Sequence, residues 1–461
     1  MTKMAWSDDL LDRKGRAEFL SNYLDQDICR VLNIDSPWGA GKTYFLKNWR
    51  FQLLHENFRP VVYFNAWEND FLDDPLLSLV SVIRDQLAEH RGVQPLVEEK
   101  VREFTKRAGE LALAIAPSMM KAAAKKYLGE DFLDVLDGEA TAEAAEKFVE
   151  KILGKNQEAL SAVDQFQRSL AELFKVVSGK NGGKPVYIFI DELDRCRPTY
   201  AIELLERVKH FFAIEGCRFV IATDTEQLAH AICAVYGSGF ASKRYLKRFF
   251  DSIFRLDNTQ LDSWIITHLK DEICPAFGEY RILAKHIDNR SSFAFNNQVD
   301  PASTSIFSEK LNAHQIVFKA LSLAFKCQIR DLEAILKRIY TFNSYFTNSA
   351  WDFFFCTYLV FLVHSDIEFN QACESYYDNS EFWSEISLKY PATQTLYTGL
   401  ANVSVHDLAQ VYFRALSLNQ RQLMDMANGE AIGSPVALGV MSKRSDYIRS
   451  AEIARLSAQL T

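Results

Sequence analysis

A glycine-rich segment placed between a strand-like run and a helical run carries the residues best suited to bind phosphate. Its sequence is Ser36-Pro37-Trp38-Gly39-Ala40-Gly41-Lys42-Thr43. Glycines let the backbone curl until its N–H groups point at phosphate oxygens, and the positive end of the following helix dipole adds to their field. In this arrangement Lys42 would reach the β- and γ-phosphates of a nucleotide, and the Thr43 hydroxyl would bind Mg²⁺. The spacing therefore predicts a P-loop.

The loop departs from the consensus at one position, because Ser36 stands where the pattern has glycine. Serine can complete the same turn, so phosphate binding is favoured over the alternative, a glycine-rich turn that binds nothing. The residues predicted to bind the nucleotide are Ser36, Pro37, Trp38, Gly39, Ala40, Gly41, Lys42, Thr43 and Tyr44.

A second motif is a hydrophobic run, Val186 to Ile190, that ends in the carboxylates Asp191 and Glu192. Consecutive apolar residues are typical of a strand buried on both faces. A P-loop lies at the carboxyl edge of its sheet, so acids at the end of such a strand would meet it there. Asp191 is predicted to hold Mg²⁺ and Glu192 to act as the general base that polarises the attacking water. The alternative is an acidic turn that also contains Asp194.

The elements that must position these motifs alternate between strand and helix. Strand-like runs cover 29–34, 61–64, 186–190 and 218–222, with helical patterns between them. This rhythm is typical of a parallel sheet covered by helices. It predicts the α/β class, with a P-loop core built on a parallel sheet.

Composition shifts divide the chain further. We predict an N-terminal helix in 1–24 and a core formed by 25–95 and 180–257, which an inserted helical region over 96–179 interrupts. Two further helical regions are predicted over 258–345 and 346–461. The pattern from residue 260 onward is helical almost throughout, except for a polar stretch over 291–308 that is expected to be a loop.

Composition also excludes several classes of protein. The chain of 461 residues has a formal net charge of −8, which argues against a generally cationic nucleic-acid binder but leaves room for a local basic patch. Its eight cysteines are scattered without a CxxC pair, as expected of buried thiols in a reducing compartment. No leader and no membrane-length apolar run is visible, so we expect a soluble, cytoplasmic protein without a transmembrane segment.

With these motifs the chain resembles the KAP family of P-loop NTPases. Further matching pieces are Phe64-Asn65-Ala66-Trp67, Asp191-Glu192-Leu193-Asp194-Arg195-Cys196, Ala222-Thr223-Asp224, Tyr245-Leu246 with Arg248-Phe249-Phe250, Gln328-Ile329-Arg330-Asp331-Leu332 and, more weakly, Asp12-Arg13 with Ala17 and Leu20. The resemblance implies a three-layer P-loop NTPase core with a RecA/AAA-like fold of the additional-strand class and a long insertion between the two motifs. It also identifies the helical region over 258–345 as a lid. Many relatives carry membrane helices in the insertion. Here the apolar stretch from Leu111 is too short, which leaves a packed helix or a loose surface contact through Leu111 to Lys126.

Other residues have two interpretations each. Asp224 could sense the γ-phosphate or cap the next helix, and these roles are compatible. Arg330 lies in the segment that matches the family's lid and could be a sensor arginine or form a local ion pair.

Arg244, Lys247 and Arg248 could supply an arginine finger to a neighbouring protomer or form a solvated basic face. Asp194, Arg195 and Arg197 could contact a neighbour's nucleotide or form a local salt-bridge network, and Trp67 is expected in the core or a switch region.

Three functions remain open. The first is an ATPase that acts as an assembly switch, with a homo-oligomer or a protein partner, and with antiphage defence suggested by analogy with bacterial relatives. The second is a nucleic-acid-stimulated ATPase or translocase, which the acidic charge disfavours. The third is a nucleotide-binding scaffold without turnover, for which Ser36 is a weak hint. ATP is preferred to GTP because the chain lacks the Asn/Thr-Lys-Xaa-Asp motif that reads guanine.

Overall fold

The computed structural model describes residues 5–71, 74–89, 95–115, 156–179, 183–212, 214–270, 311–346, 351–367, 379–391, 395–397, 402–457 and 459. These residues form two compact units, Met1–Asp257 and Asn258–Thr461. The loop expected over 291–308 lies outside the described residues, as does most of the segment from Leu111 to Lys126.

The first unit contains a parallel sheet of five strands. They are β1 (Val31–Asp35), β2 (Val61–Asn65), β3 (Val186–Asp191), β4 (Cys217–Thr223) and β5 (Ser252–Arg255). Their order across the sheet is β2-β3-β4-β1-β5, and every neighbouring pair is parallel. Strand β4 therefore separates the strand before the P-loop from the strand that ends in the acids. The predicted α/β class is confirmed, although the sequence had not indicated β5.

Helices cover both faces of this sheet. They are α1 (Arg13–Leu24), α2 (Lys42–Phe51), α3 (Ala66–Asn69), α4 (Pro75–Glu89), α5 (Pro95–Ile115), α6 (Asn156–Ser178), α7 (Pro198–Phe211), α8 (Thr225–Tyr236) and α9 (Ser242–Leu246). A π-helical turn, Gln52–Glu56, extends α2, and a 3₁₀ turn, Leu193–Arg195, follows β3.

Side chains of β3 alternate between the two layers. Tyr187 and Phe189 pack with residues of α1 and α2, whereas Ile188 and Ile190 pack with α4 to α9 on the opposite face. Both sets are fully buried, which explains why the strand has no polar position before Asp191. The chain leaves β1 through one helical layer toward β2, and leaves β4 through the other layer toward β5. Because these two connections run on opposite faces of the sheet, a crevice for a ligand opens at the carboxyl ends of β1 and β4.

The described part of the insertion is a pair of long helices. Helix α5 packs against α6, with the rings of Phe104 and Phe166 5.6 Å apart, and Phe166 in turn contacts Phe212 after α7 at 5.4 Å. No helix in the described ranges combines the length and the apolar character needed to cross a membrane.

The second unit is predominantly helical. Its elements are α10 (Asp262–His268), α11 (Ala313–Ala324), α12 (Ile329–Tyr345), α13 (Phe353–His364), α14 (Ser380–Lys389), β6 (Thr395–Tyr397), β7 (Asn402–Ser404), α15 (Val405–Ser417), α16 (Gln420–Gly429) and α17 (Gly433–Ser457). Helix α13 is buried along nearly its whole length, as its apolar sequence indicates. The helical C-terminal region is confirmed, and within it β6 and β7 form an antiparallel pair that the sequence had not indicated.

A buried histidine makes the second unit sensitive to pH. His406 Nε2 donates to the carbonyl of Tyr390 and its Nδ1 accepts from the hydroxyl of Tyr358, each at 2.9 Å, which suits the neutral ring. Burial lowers the pKa of His406. In the unfolded chain, this histidine takes up a proton as the pH falls below its ordinary pKa of about 6.5. In the folded chain it stays neutral to a lower pH. The free energy of unfolding therefore decreases as the pH falls, by at most about 1.4 kcal/mol per pH unit.

We expect His406→Gln to remove this part of the pH dependence, because a neutral amide can keep both contacts without titrating. Urea unfolding of wild type and His406→Gln at pH 7.5 and pH 5.5 measures how much the free energy of unfolding of each protein depends on pH. Equal losses of stability in wild type and variant on acidification would contradict the assignment to His406.

Candidate functional site

The glycine-rich loop connects the end of β1 to the first residue of α2. Gly39 and Gly41 have φ angles of 80° and 87°, which side chains rarely adopt. The N–H of Ser36 donates to the carbonyl of Thr223 at the end of β4, at 3.1 Å. The loop therefore curls over the carboxyl edge of the sheet, between β1 and β4, as a P-loop requires.

Lys42 is buried inside this loop. Its Nζ donates to the carbonyls of Ser36 at 2.6 Å and Pro37 at 3.2 Å. Burial lowers the pKa of Lys42, and the carboxylates of the neighbouring acids oppose that shift; they are Asp194, Asp224, Asp191 and Asp35. The predicted phosphate-binding cation and the predicted acids thus share one edge of the sheet. An ammonium has three N–H donors, so Lys42 can hold these two carbonyls and still donate to a phosphate oxygen.

Asp191 is oriented by two hydrogen bonds at the end of β3. The hydroxyl of Tyr63 donates to its Oδ2 at 2.7 Å and the N–H of Glu192 to its Oδ1 at 2.9 Å. Burial and the charge of Asp191 raise the pKa of Tyr63, which keeps its proton on the phenol. Thr43 is half-buried in the first turn of α2. A hydroxyl and a carboxylate oxygen are hard donors that suit Mg²⁺, so these residues fit the predicted metal.

Glu192 adopts a left-handed conformation with φ 59°, directly after β3. The Nδ2 of Asn65 donates to its Oε2 at 3.3 Å, and Arg195 Nη1 lies 3.0 Å from its Oε1. The Arg195 guanidinium also lies over the ring of Trp67, 5.8 Å from the centroid. Both carboxylate oxygens are therefore engaged, and each keeps a further lone pair with which Glu192 can accept a hydrogen bond from a water.

Asp194, Arg195 and Arg197 take part in local contacts, which is the second of their two interpretations. The indole N–H of Trp38 donates to the Asp194 carboxylate and so connects the loop to the turn after β3. Arg197 donates through its backbone N–H and its Nε to Asp70, at 2.8 and 2.9 Å. These contacts join the segments that follow β1, β2 and β3.

Trp67 is not a core residue, contrary to one expectation for it. Its side chain is 53% exposed, since α3 begins at the sheet edge and turns the ring toward solvent. The other interpretation, a switch region, stays a prediction.

Asp224 caps α8, because its carboxylate accepts from the N–H groups of Glu226 and Gln227, both at 3.2 Å. It is also among the acids that raise the pKa of Lys42, so it lies near the loop.

Tyr44, the last residue predicted to bind the nucleotide, contacts the N-terminal segment. Its ring lies 6.3 Å from that of Trp6, and burial raises the pKa of Tyr44 to about 12. The nucleotide roles of Asp224 and Tyr44 stay predictions.

The remaining basic candidates are exposed. Arg244 lies in α9, and Lys247 and Arg248 lie in the turn after it, because the helix has only five residues. Their two interpretations, an arginine finger and a solvated basic face, stay predictions. Arg330 belongs to the second unit, where it occupies the first turn of α12. Its role as a sensor stays a prediction.

The sequence analysis did not identify Tyr63 and Asn65 as the partners of Asp191 and Glu192. Strand register places them there, because β2 pairs with β3 so that Asn65 stands beside Asp191. The sequence feature that could have indicated Asn65 is its place in the Phe64-Asn65-Ala66-Trp67 motif, which is part of the resemblance to the family.

The strand order, the curled loop and the acids at the end of β3 define a P-loop NTPase core. Residues 18–273, more than half of the chain, match the KAP family P-loop domain, and the chain belongs to this family. It is also similar to an uncharacterized protein of Methanocaldococcus jannaschii, with 26% identity over 164 residues that span 33% of this chain and 84% of the relative.

Proposed function

We propose that this protein is a Mg²⁺-dependent ATPase whose nucleotide state controls its assembly with copies of itself or with a protein partner. The observation that carries the hydrolytic part is the convergence of Lys42 with Asp191 and Glu192 at one sheet edge. Binding of a phosphate chain is a property of the P-loop class, and the acids add what hydrolysis needs.

Each residue has a distinct task in this mechanism. The N–H groups of the loop and the Lys42 ammonium bind the phosphates, while Thr43 and Asp191 would hold Mg²⁺, which supplies charge neutralisation at the phosphates when bound. Glu192 orients a water and accepts its proton as that water attacks. Because phosphoryl transfer is mainly positioning and electrostatics, the hydrogen bonds from Tyr63 and Asn65 hold the two acids in place.

The choice of ATP depends on the absence of a guanine-reading motif from the sequence. Competition between labelled ATP and unlabelled GTP tests that choice directly. A role in antiphage defence has only the family resemblance behind it and belongs to the proposal on that basis.

Assembly control is supported by the engagement of Glu192 and by exposed arginines near the core. Asn65 and Arg195 hold the two oxygens of Glu192, so a bound γ-phosphate or a neighbour that drew these partners away would change the strength of Glu192 as a base. Arg244 and Arg248 are exposed, as a residue that reaches a neighbouring protomer must be.

The test is the solution mass of wild type and Glu192→Gln with Mg-ATP, with Mg-ADP and without nucleotide. We expect a rise in mass with ATP only, strongest in Glu192→Gln, because that variant keeps the γ-phosphate in place. Lys42→Met is the matched control and should stay at the mass of the nucleotide-free protein. A mass that never changes would contradict self-assembly and leave only the partner form of the proposal.

If ATP raises the mass, the same preparations test the arginines. Arg248→Ala mixed with Lys42→Met should recover part of the ATPase activity that each lacks alone, because each protomer supplies what the other has lost. Lys247→Ala, a neighbouring exposed cation, controls for the loss of charge. Turnover that instead rises only with added DNA or RNA would favour the translocase alternative.

A further inference from the structure

A buried arginine from the N-terminal helix contacts the P-loop from the side of the protein interior. Arg13 is the first residue of α1 and is 1% exposed. Its Nη1 donates to the carbonyl of Gly41 at 2.9 Å, and its Nη2 donates to the carbonyl of Ala40. It precedes residues 18–273, which match the family domain. None of the site roles derived above uses this guanidinium.

The geometry of the peptide bond gives these contacts a consequence. Within a trans peptide, the C=O of one residue and the N–H of the next point in opposite directions. When Arg13 holds the carbonyls of Ala40 and Gly41 inward, the N–H groups of Gly41 and Lys42 must point outward. Lys42 holds the carbonyls of Ser36 and Pro37 from within the loop. Lys42 thus orients the peptide groups in the first half of the loop, and Arg13 orients those in the second half.

The surrounding structure holds Arg13 in this position. Asp9 accepts from the backbone N–H groups of Arg13 and Lys14, at 2.7 and 2.9 Å, and so starts α1 at this residue. Trp6 attaches the same segment to the π-helical turn after α2, since its indole N–H donates to Gln52 Oε1 at 2.8 Å.

The loop itself is shaped to admit the guanidinium. A Cβ atom built on Gly41 would lie 2.7 Å from Arg13 Nη1, closer than real contacts allow. Gly41 therefore serves two purposes, because it provides the left-handed backbone and leaves room for the arginine.

We infer that Arg13 is a positioning residue of the nucleotide site, which aims the N–H groups of Gly41 and Lys42 at the bound phosphates. This inference rests on the proposed nucleotide binding. It assigns to the N-terminal segment a part in phosphate recognition rather than only in packing. The role requires arginine, because a planar fork can donate to two adjacent carbonyls, whereas a lysine ammonium at the same place is a shorter, single point of contact. Burial lowers the pKa of Arg13 to about 10, which leaves it charged at neutral pH.

The chain offers a matched control. Arg218 is 3% exposed and also donates to two backbone carbonyls, those of Leu24 and Cys217, each at 2.8 Å. It stands at the beginning of β4, at the amino edge of the sheet and so at the opposite edge from the loop. Arg13→Lys and Arg218→Lys therefore both remove buried contacts to backbone carbonyls, at opposite edges of the sheet. Arg218→Lys also disturbs an ion pair with Asp27, at 2.7 Å, so it is the more demanding test of stability.

The experiment measures three quantities for wild type, Arg13→Lys and Arg218→Lys in the full chain. These are the Kd for Mg-ADP and Mg-ATP, the melting temperature, and the protection from hydrogen exchange that Mg-ADP confers on peptides covering residues 36–44. For Arg13→Lys we expect Kd to rise about ten- to a hundredfold, as for one or two lost charge-assisted hydrogen bonds, with weaker protection of the loop. For Arg218→Lys we expect a lower melting temperature and an unchanged Kd.

The outcomes separate the inference from the proposed function. If wild type binds neither nucleotide, the proposed function fails and takes the inference with it. If wild type binds and a folded Arg13→Lys binds equally well, only the inference is overturned. Equal increases of Kd in both variants would reduce Arg13 to a general stabilising residue and likewise overturn it. Should Arg13→Lys not fold, Arg13→Gln replaces it, since its amide can still donate to one carbonyl.

Discussion

Lys42→Met is expected to abolish nucleotide binding, with Kd for Mg-ATP raised by about a hundredfold or more, the cost of losing a charge-assisted contact to phosphate. Methionine keeps the length and the apolar stem of the side chain but removes the ammonium. In the folded chain that ammonium already sits in the loop, bonded to the carbonyls of Ser36 and Pro37. These two bonds use two of its three N–H donors, which leaves one for a phosphate oxygen.

The variant also changes the charge balance of the site. Several carboxylates surround Lys42, and without the ammonium they repel one another and repel the phosphate chain. Both effects weaken binding in the same direction. Isothermal titration with Mg-ATP measures the loss, and Lys209→Met, at an exposed lysine in the last turn of α7, is the control. An unchanged Kd would show that the loop does not bind phosphate.

Glu192→Gln is expected to bind ATP but to hydrolyse it about 10²- to 10⁴-fold more slowly, the range that a general base contributes. Glutamine has nearly the same shape and can keep a contact with Asn65, so the loop and the metal-binding residues should be undisturbed. It cannot accept the proton of the attacking water. The ion pair with Arg195 is lost as well, which leaves Arg195 with its contact to Trp67.

Single-turnover release of phosphate, measured beside the Kd for ATP, separates the two effects of this substitution. Slow release at an unchanged Kd supports Glu192 as the base. Glu215→Gln, at an exposed glutamate in the turn before β4, controls for the change of charge. Normal turnover in Glu192→Gln would remove the base assignment while leaving nucleotide binding intact.

Local patterns in the sequence were sufficient to predict the parallel sheet, the P-loop and the acidic end of β3. Buried strands such as β3 show as uninterrupted apolar runs because helices cover both faces of the sheet. The loop is evident because Gly39 and Gly41 are needed where φ is positive, and because Lys42 follows at the start of a helix. These features depend on neighbouring residues, so spacing alone reveals them.

Edge strand β5 was harder to predict, because it has four residues and its residues alternate between half-buried and exposed, without a buried position. The short pair β6 and β7 also gave no clear pattern. Likewise, the basic residues 243–248 have helical spacing, but α9 ends at Leu246 and the last two lie in a turn. Short elements are determined by what they pack against rather than by their own periodicity.

The sequence by itself determined which residues could bind phosphate, hold a metal and activate water. Tertiary structure alone decided which partners hold them: Tyr63 and Asn65 reach the acids through the register of β2 with β3, and Arg13 reaches the loop through the packing of α1. The physical reason is that a motif is encoded by nearby residues, whereas its orientation depends on hydrogen bonds from residues far away in the chain. Such contacts exist only after the sheet has formed and its two helical layers have closed over it.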